Sequence, residues 1–262
     1  MVELKIGIIV IGDEILSGHV LDTNTNWLLK KLRKMNHEVS RVEIIPDNVE
    51  LIANAITRFL NENYDVIFVS GGLGPTHDDV TVEGVAIAIE KSCITSKEAL
   101  EIINRQYRKF HELKIIRSAN IDEIPGAQKM AVIPEGSILL EPMGTAPGLF
   151  IPFKSKSGYE SKIFVLPGVP MEFKSMFNHQ IENKLLEKNP NEKFSVEIIS
   201  KTEEARLFPL LMQLKREYSD VKIGSYPNIE KMHVLLRITG KKEDIEKISQ
   251  IIREKLKVLR PG

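Results

Sequence analysis

"YDVIFVSGGLGPTHDDVTVEG" runs from Tyr64 to Gly84. Its first third, "YDVIFVS", is a continuous apolar run rich in β-branched residues, the pattern of a strand covered on both faces. Gly71, Gly72 and Gly74 follow, then Thr76, His77, Asp78, Asp79 and Thr81, and then a helical pattern. Glycines between a strand and a helix let the backbone approach a ligand and leave amide N–H groups free. The helix is expected to start near Thr81, with Asp79 or Thr81 as its cap. A helix N-terminus favours phosphate, and two carboxylates beside a phosphate make sense when a divalent cation sits between them. "GGLG" is neither a Walker loop nor GxGxxG, and the local signal alone does not separate a ligand loop from an ordinary turn.

Upstream, "KIGIIVIG" (Lys5–Gly12) repeats the buried-strand pattern and runs into Asp13 and Glu14. Between these two strands lie an amphipathic helix "NTNWLLKKLRKM", a strand "EVSRVEIIPD", and a helix whose Leu51, Ile52, Ala55, Ile56, Phe59 and Leu60 share one face. This alternation predicts an α/β fold, a mostly parallel sheet with helices on both faces. Loops leaving the carboxyl ends of parallel strands bind ligands in such folds. Asp13 and Glu14 therefore share an edge with Asp78 and Asp79.

Downstream, Thr95 and Glu98 have capping-box spacing at the head of a long helix. A Pro/Gly-punctuated region follows, with loops and a short antiparallel pair expected. The strand "KIFVLPG" and one helix over "VPMEFKSMFNHQIENKLLEK" close this half of the chain. Gly144, Thr145 and Gly148 in "GTAPG", with Gly168 and Glu172 in "LPGVPMEF", add two more loops. Four polar or glycine-rich loops on one edge read as a binding cleft. "NPNEK" (Asn189–Lys193) is a polar linker that divides a first domain, 1–188, from a small α+β domain, 194–262.

The chain has 262 residues with 36 basic and 36 acidic side chains. Zero net charge points to neither nucleic acid nor an anionic membrane as partner. Cys93 is the single cysteine, which excludes an intrachain disulfide and suits a reducing, cytoplasmic compartment. No apolar run approaches membrane-spanning length. Cys93 and Trp27 are expected to pack in the core, His77 and His19 to be loop residues, and the charge-rich last helix to present a solvated face.

"GDEILSGHVLDTNTNWL", "SGGLGPTHDDVT", "IPEGSILLEPMGTAPGL" and "LPGVPMEF" resemble the competence-damage-inducible (CinA-like) family. The resemblance covers residues 3–187, and residues 194–259 resemble the small KH-like domain that follows there. It departs from the family pattern at Glu141, where an Asn usually precedes the proline. It implies a molybdopterin-binding-like first domain, a homodimer, a phosphorylated small-molecule substrate and a divalent metal (magnesium, manganese or cobalt). The family's C-terminal deamidase is not expected, because the chain ends at Gly262. The implied activity is cleavage of the pyrophosphate bond of ADP-ribose or a related dinucleotide, and the alternative is binding or adenylylation of a molybdopterin-like ligand. On the first reading Asp13, Glu14 and Asp79 hold the metal and Asp78 is the general base. The amides of Gly71, Gly72 and Gly74 and the hydroxyls of Thr76 and Thr81 hold phosphate, while Gly144, Thr145, Gly148, Gly168 and Glu172 line the nucleoside end.

Overall fold

The computed structural model describes residues 4–182, 184, 186–189 and 194–258. The chain divides into two compact units, Met1–Asn189 and Pro190–Gly262. Most of the expected linker, residues 190–193, lies outside the described residues.

The first unit is built on a six-stranded sheet of order β2-β1-β3-β8-β7-β6. Its strands are β1 (Ile6–Ile11), β2 (Val39–Ile45), β3 (Val66–Ser70), β6 (Ile138–Leu140), β7 (Gly148–Lys154) and β8 (Glu160–Leu166). The pairs β1–β2, β1–β3 and β3–β8 are parallel, while β7 joins β8 and β6 antiparallel. Side chains alternate across a strand, so each central strand supplies two cores. Ile9, Ile11, Ile67, Val69, Ile163 and Val165 enter one core. It is closed by α3 (Val49–Asn61), α4 (Thr81–Ala88) and α5 (Lys97–Glu112). Ile8, Val10, Val66, Phe68, Phe164 and Leu166 enter the other, closed by α2 (Thr23–Lys34) and α7 (Pro170–Met176). Burial on both faces is why these strands read as unbroken apolar runs. A short helix α1 (Asp13–Leu16) follows β1, and α6 (Pro125–Lys129) precedes β5 (Val132–Pro134), which pairs antiparallel with β4 (Cys93–Thr95).

Three local expectations are corrected. Ser96, not Thr95, caps α5 by accepting from the Ala99 N–H at 3.2 Å, because Thr95 is held extended opposite Val132. The helix after β8 does not reach Lys188: α7 passes into a π turn, Phe177–Ile181, and stops. Beyond it Leu186 is buried in the second core, the Glu187 carbonyl bonds His37 at 2.7 Å, and the Asn189 N–H donates to the Met35 carbonyl at 2.9 Å. A continued helix could not place all three. Cys93 is exposed on β4. Trp27 is half-buried and edge-on to Phe173 and Phe177.

The second unit is β9 (Phe194–Ser200), α8 (Glu204–Glu217), β10 (Lys222–Asn228), β11 (His233–Gly240) and α9 (Lys242–Val258). Its antiparallel sheet has the order β10-β11-β9. Alternate residues of β11, Val234, Leu236 and Ile238, meet Leu207, Leu214, Ile248 and Ile252 of the two helices in a separate core.

Gly7 in β1 lies directly beneath the packed rings of Phe59 and Tyr64. A Cβ there would lie 2.1 Å from a Phe59 ring carbon. Gly7→Val is expected to cost about 1–3 kcal/mol by overpacking, read as a lower denaturant midpoint at unchanged slope.

Candidate functional site

Four loops leave the carboxyl ends of β1, β2, β3 and β8 on one edge of the sheet. The loop after β3 turns sharply. Gly71 has φ +109° and a Cβ on it would lie 2.1 Å from the Ile11 carbonyl oxygen, while Gly72 has φ +65° and a Cβ would lie 2.1 Å from the Thr81 hydroxyl. Both conditions demand glycine.

The donors in this loop divide into committed and free. The Gly71 N–H donates to the Leu166 carbonyl at 3.0 Å, so it closes the sheet and is not offered to a ligand. Thr81 is fully buried and its hydroxyl donates to the Gly71 carbonyl at 2.9 Å. Both Thr76 donors, N–H and hydroxyl, close on Asp79 Oδ2. These geometries correct the roles expected of Gly71, Thr76 and Thr81: all three build the loop. They also remove the cap expected at α4, whose N-cap residue is Val80 with no capping side chain. Among the described residues no hydrogen bond takes up the N–H of Gly72 or Gly74.

Lys129 of α6 supplies the cation that sequence reasoning did not place. Its ammonium donates to the Thr76 carbonyl and lines a small cavity with Gly72, Gly74, Asp79 and Glu83. It stands 53 residues from Thr76, inside a stretch that reads as loops, so no local pattern announces it. Asp78 is exposed. The neighbouring Thr76 side chain, its own N–H, and the charges of His77 and Lys129 hold its carboxyl below the usual range.

The loop after β2 adds a residue also missed. Asp47 Oδ2 accepts the Asp13 N–H at 2.9 Å. Burial first, then the charges of Asp13, Glu14 and Asp78, push its carboxyl up, against the lowering effect of that hydrogen bond. The structure thus sets Asp78 in one field with Asp13 and Glu14, while Asp79 is engaged by Thr76. "IIPD" carried the signal for Asp47, since it too ends a strand on the acidic edge.

The loop after β8 and the loop between β6 and β7 hold each other. Gly168 faces the Gly71 backbone, and its carbonyl accepts from Asn24 Nδ2 at 2.7 Å. A Cβ on Gly144 would fall 1.8 Å from Glu172 Oε1, and one on Gly148 would fall 2.7 Å from Met176 Sδ. Gly144 and Gly148 are buried against these side chains. The Thr145 hydroxyl lies 3.9 Å from Met130 Sδ. Burial pushes the Glu172 carboxyl up. Glu141 pairs with Arg105, and its backbone exchanges two hydrogen bonds with the Gln180 amide, at 2.7 and 2.8 Å. Its polar contact is thus supplied from α5.

A glycine-rich turn of this shape within a doubly covered, mostly parallel sheet defines a class. Residues 7–187 match the probable molybdopterin binding domain family, and the chain belongs to it. Residues 192–259 match the middle domain of FAD synthase. A Pyrococcus furiosus protein is 35% identical over 251 residues, 95% of each chain. A CinA-like protein of Thermosipho melanesiensis is 31% identical over 95% of this chain and 58% of its own length. The crystal structure of CinA from Thermoplasma acidophilum, a protein described there as of unknown function, superposes with a TM-score of 0.55. It is 32% identical and covers 66% of this chain and 94% of that one. No helix among the described residues is long and apolar enough to cross a membrane.

The raised carboxyl of Asp47 has a thermodynamic consequence. Folding favours its protonated form, so its stabilising contribution is present below its ordinary value of 3.8 and is lost as pH rises through its raised folded value. Asp47→Asn keeps an oxygen for the Asp13 N–H and removes a charge from the acidic set. The variant is expected to melt above the wild type at pH 7, and the difference to shrink towards pH 4. Scanning calorimetry at both pH values checks it.

Proposed function

We propose that the first unit binds a phosphorylated heterocyclic ligand of the molybdopterin class, with phosphate seated on the loop after β3. The observation that carries this reading is the convergence of the unbonded Gly72 and Gly74 amides with the Lys129 ammonium. Backbone donors and a cation together form an anion seat. Membership of a molybdopterin-binding family supports the pterin end of the ligand, and the FAD synthase match of the second unit is compatible with it. A flavin dinucleotide also joins a pteridine-type ring system to phosphate.

The acidic set around Asp47 favours a second reading, cleavage of a pyrophosphate bond in ADP-ribose or a related dinucleotide. Asp13, Glu14, Asp47 and Asp78 concentrate negative charge beside a phosphate seat, which suits a divalent cation. Among the described residues no group of three or more His, Cys, Asp or Glu could hold a metal by itself. A magnesium ion held by one or two of these carboxylates takes its other ligands from phosphate and water, its common mode. When bound, it would neutralise phosphate charge and acidify a water. This chain's own part is to position phosphate through Gly72, Gly74 and Lys129, and to accept a proton at Asp78 or Asp47. The depressed Asp78 stays ionised at neutral pH, and the raised Asp47 is the stronger base.

Lys129→Met is expected to weaken inorganic pyrophosphate binding about tenfold, the order of one lost charge-assisted hydrogen bond. Calorimetric titration reads it, and unchanged affinity would place the phosphate elsewhere. Release of AMP from ADP-ribose in the presence of magnesium supports the second reading. Pyrophosphate binding without AMP release leaves the first.

A further inference from the structure

The second unit's own helices cover one face of its three-stranded sheet. Val234, Leu236 and Ile238 of β11 enter the core with residues of α8 and α9, so Leu235, Arg237 and Thr239 lie on the other face. The register sets three cross-strand rows there: Ile199–Leu235–Tyr226, Glu197–Arg237–Gly224 and Ser195–Thr239–Lys222. The first row is apolar and open, with Ile199 65% and Tyr226 50% exposed. The Tyr226 ring is laid back over Gly224 of its own strand. A Cβ on that glycine would fall 2.9 Å from a ring carbon and 2.8 Å from the hydroxyl oxygen. The Arg237 guanidinium lies 5.3 Å from the centre of the same ring, and its Nε and Nη2 donate to Glu197 Oε1 at 3.0 and 2.7 Å. The glycine makes room for a flat aromatic, and the ion pair fixes a planar cation beside it.

The charge of this unit suits a polyanion. Pro190–Gly262 holds 15 basic and 11 acidic side chains, a net +4 that the acidic first unit cancels in the whole chain. Among the strand residues on the open face Glu197 is the one carboxylate, against Arg237 and Lys222, and Lys201 is exposed just beyond β9. An exposed ring beside cations on a sheet is a platform on which a base stacks while its phosphates meet the cations. The Ser195 and Thr239 hydroxyls, 3.2 Å apart in the next row, both donate and accept, so they suit the 2′-hydroxyl of a ribose. A GXXG clamp is not available to this unit, whose glycines before Gly262 are Gly224 and Gly240.

We propose that the open sheet face of the second unit binds single-stranded RNA, with one base stacked on Tyr226 against Arg237 and the backbone running past Ser195 and Thr239. The site is independent of the phosphate seat in the first unit.

Fluorescence anisotropy of the full chain with a labelled oligouridylate of about 12 nucleotides, within the usual range of single-strand site sizes, tests it. Binding is expected, and it should weaken as salt rises from about 50 to 200 mM. Tyr226→Ala should weaken it about tenfold or more, the order of one lost stacked base, while Tyr226→Phe keeps most of the affinity. Gly224→Ala, which displaces the ring without changing charge, should weaken it as well. Circular dichroism confirms that each variant is folded, and pyrophosphate affinity should not change in any of them. The deoxyribose oligonucleotide should bind more weakly, and equal affinity for it overturns the RNA assignment. Absence of RNA binding, or binding that Tyr226→Ala leaves unaltered, overturns the site. If RNA does not bind and Tyr226→Ala instead dissociates a dimer in sedimentation, the face belongs to a second copy of the chain.

Discussion

The turn at Gly71 and Gly72 is the constraint on which the first unit depends. The chain must leave β3 and return to α4 while passing within contact of the Ile11 carbonyl of β1. Three bonds fix that turn: Gly71 N–H to Leu166, Thr81 hydroxyl to Gly71, and Thr81 N–H to Gly72. Together they tie the ends of β3 and β8 to the start of α4. The next amides, of Gly72 and Gly74, take part in no hydrogen bond among the described residues. Donors of adjacent residues in one loop are therefore committed differently: those of Gly71 and Thr81 hold the turn, and the N–H groups of Gly72 and Gly74 are left over.

Much of the fold was legible because burial on two faces leaves a strong mark. β1, β3 and β8 read as apolar runs, and α3 reads as one apolar helical face. The antiparallel turn of β7 back onto β8 was less visible, since its "GLFIPF" carries no crossover pattern. The helix over residues 169–188 was read too long because Leu186 sits at a plausible helical position. Its burial is achieved by a chain that leaves the helix to bond His37 and Met35.

The site was legible in outline and not in role. Glycines and carboxylates at strand ends located the edge, but donor commitment is a three-dimensional property. Thr81 looks like a phosphate donor in sequence and is buried under Gly71 in space. Lys129 reaches the loop only through the tertiary packing of α6. Asp79 and Asp78 are neighbours in sequence, yet one closes the loop on Thr76 and the other shares a field with Asp47 from the opposite side of β1. Adjacent carboxylates in an irregular loop have no fixed period, so their directions cannot be assigned from spacing.

Backbone amide shifts report directly where phosphate binds. In a protein labelled with ¹⁵N-glycine, titration with pyrophosphate is expected to move the Gly72 and Gly74 resonances most and Gly71 little, because its N–H is held by Leu166. Shifts confined to Gly224 and Gly240 in the second unit, or a Gly71 shift larger than those of Gly72 and Gly74, would contradict it.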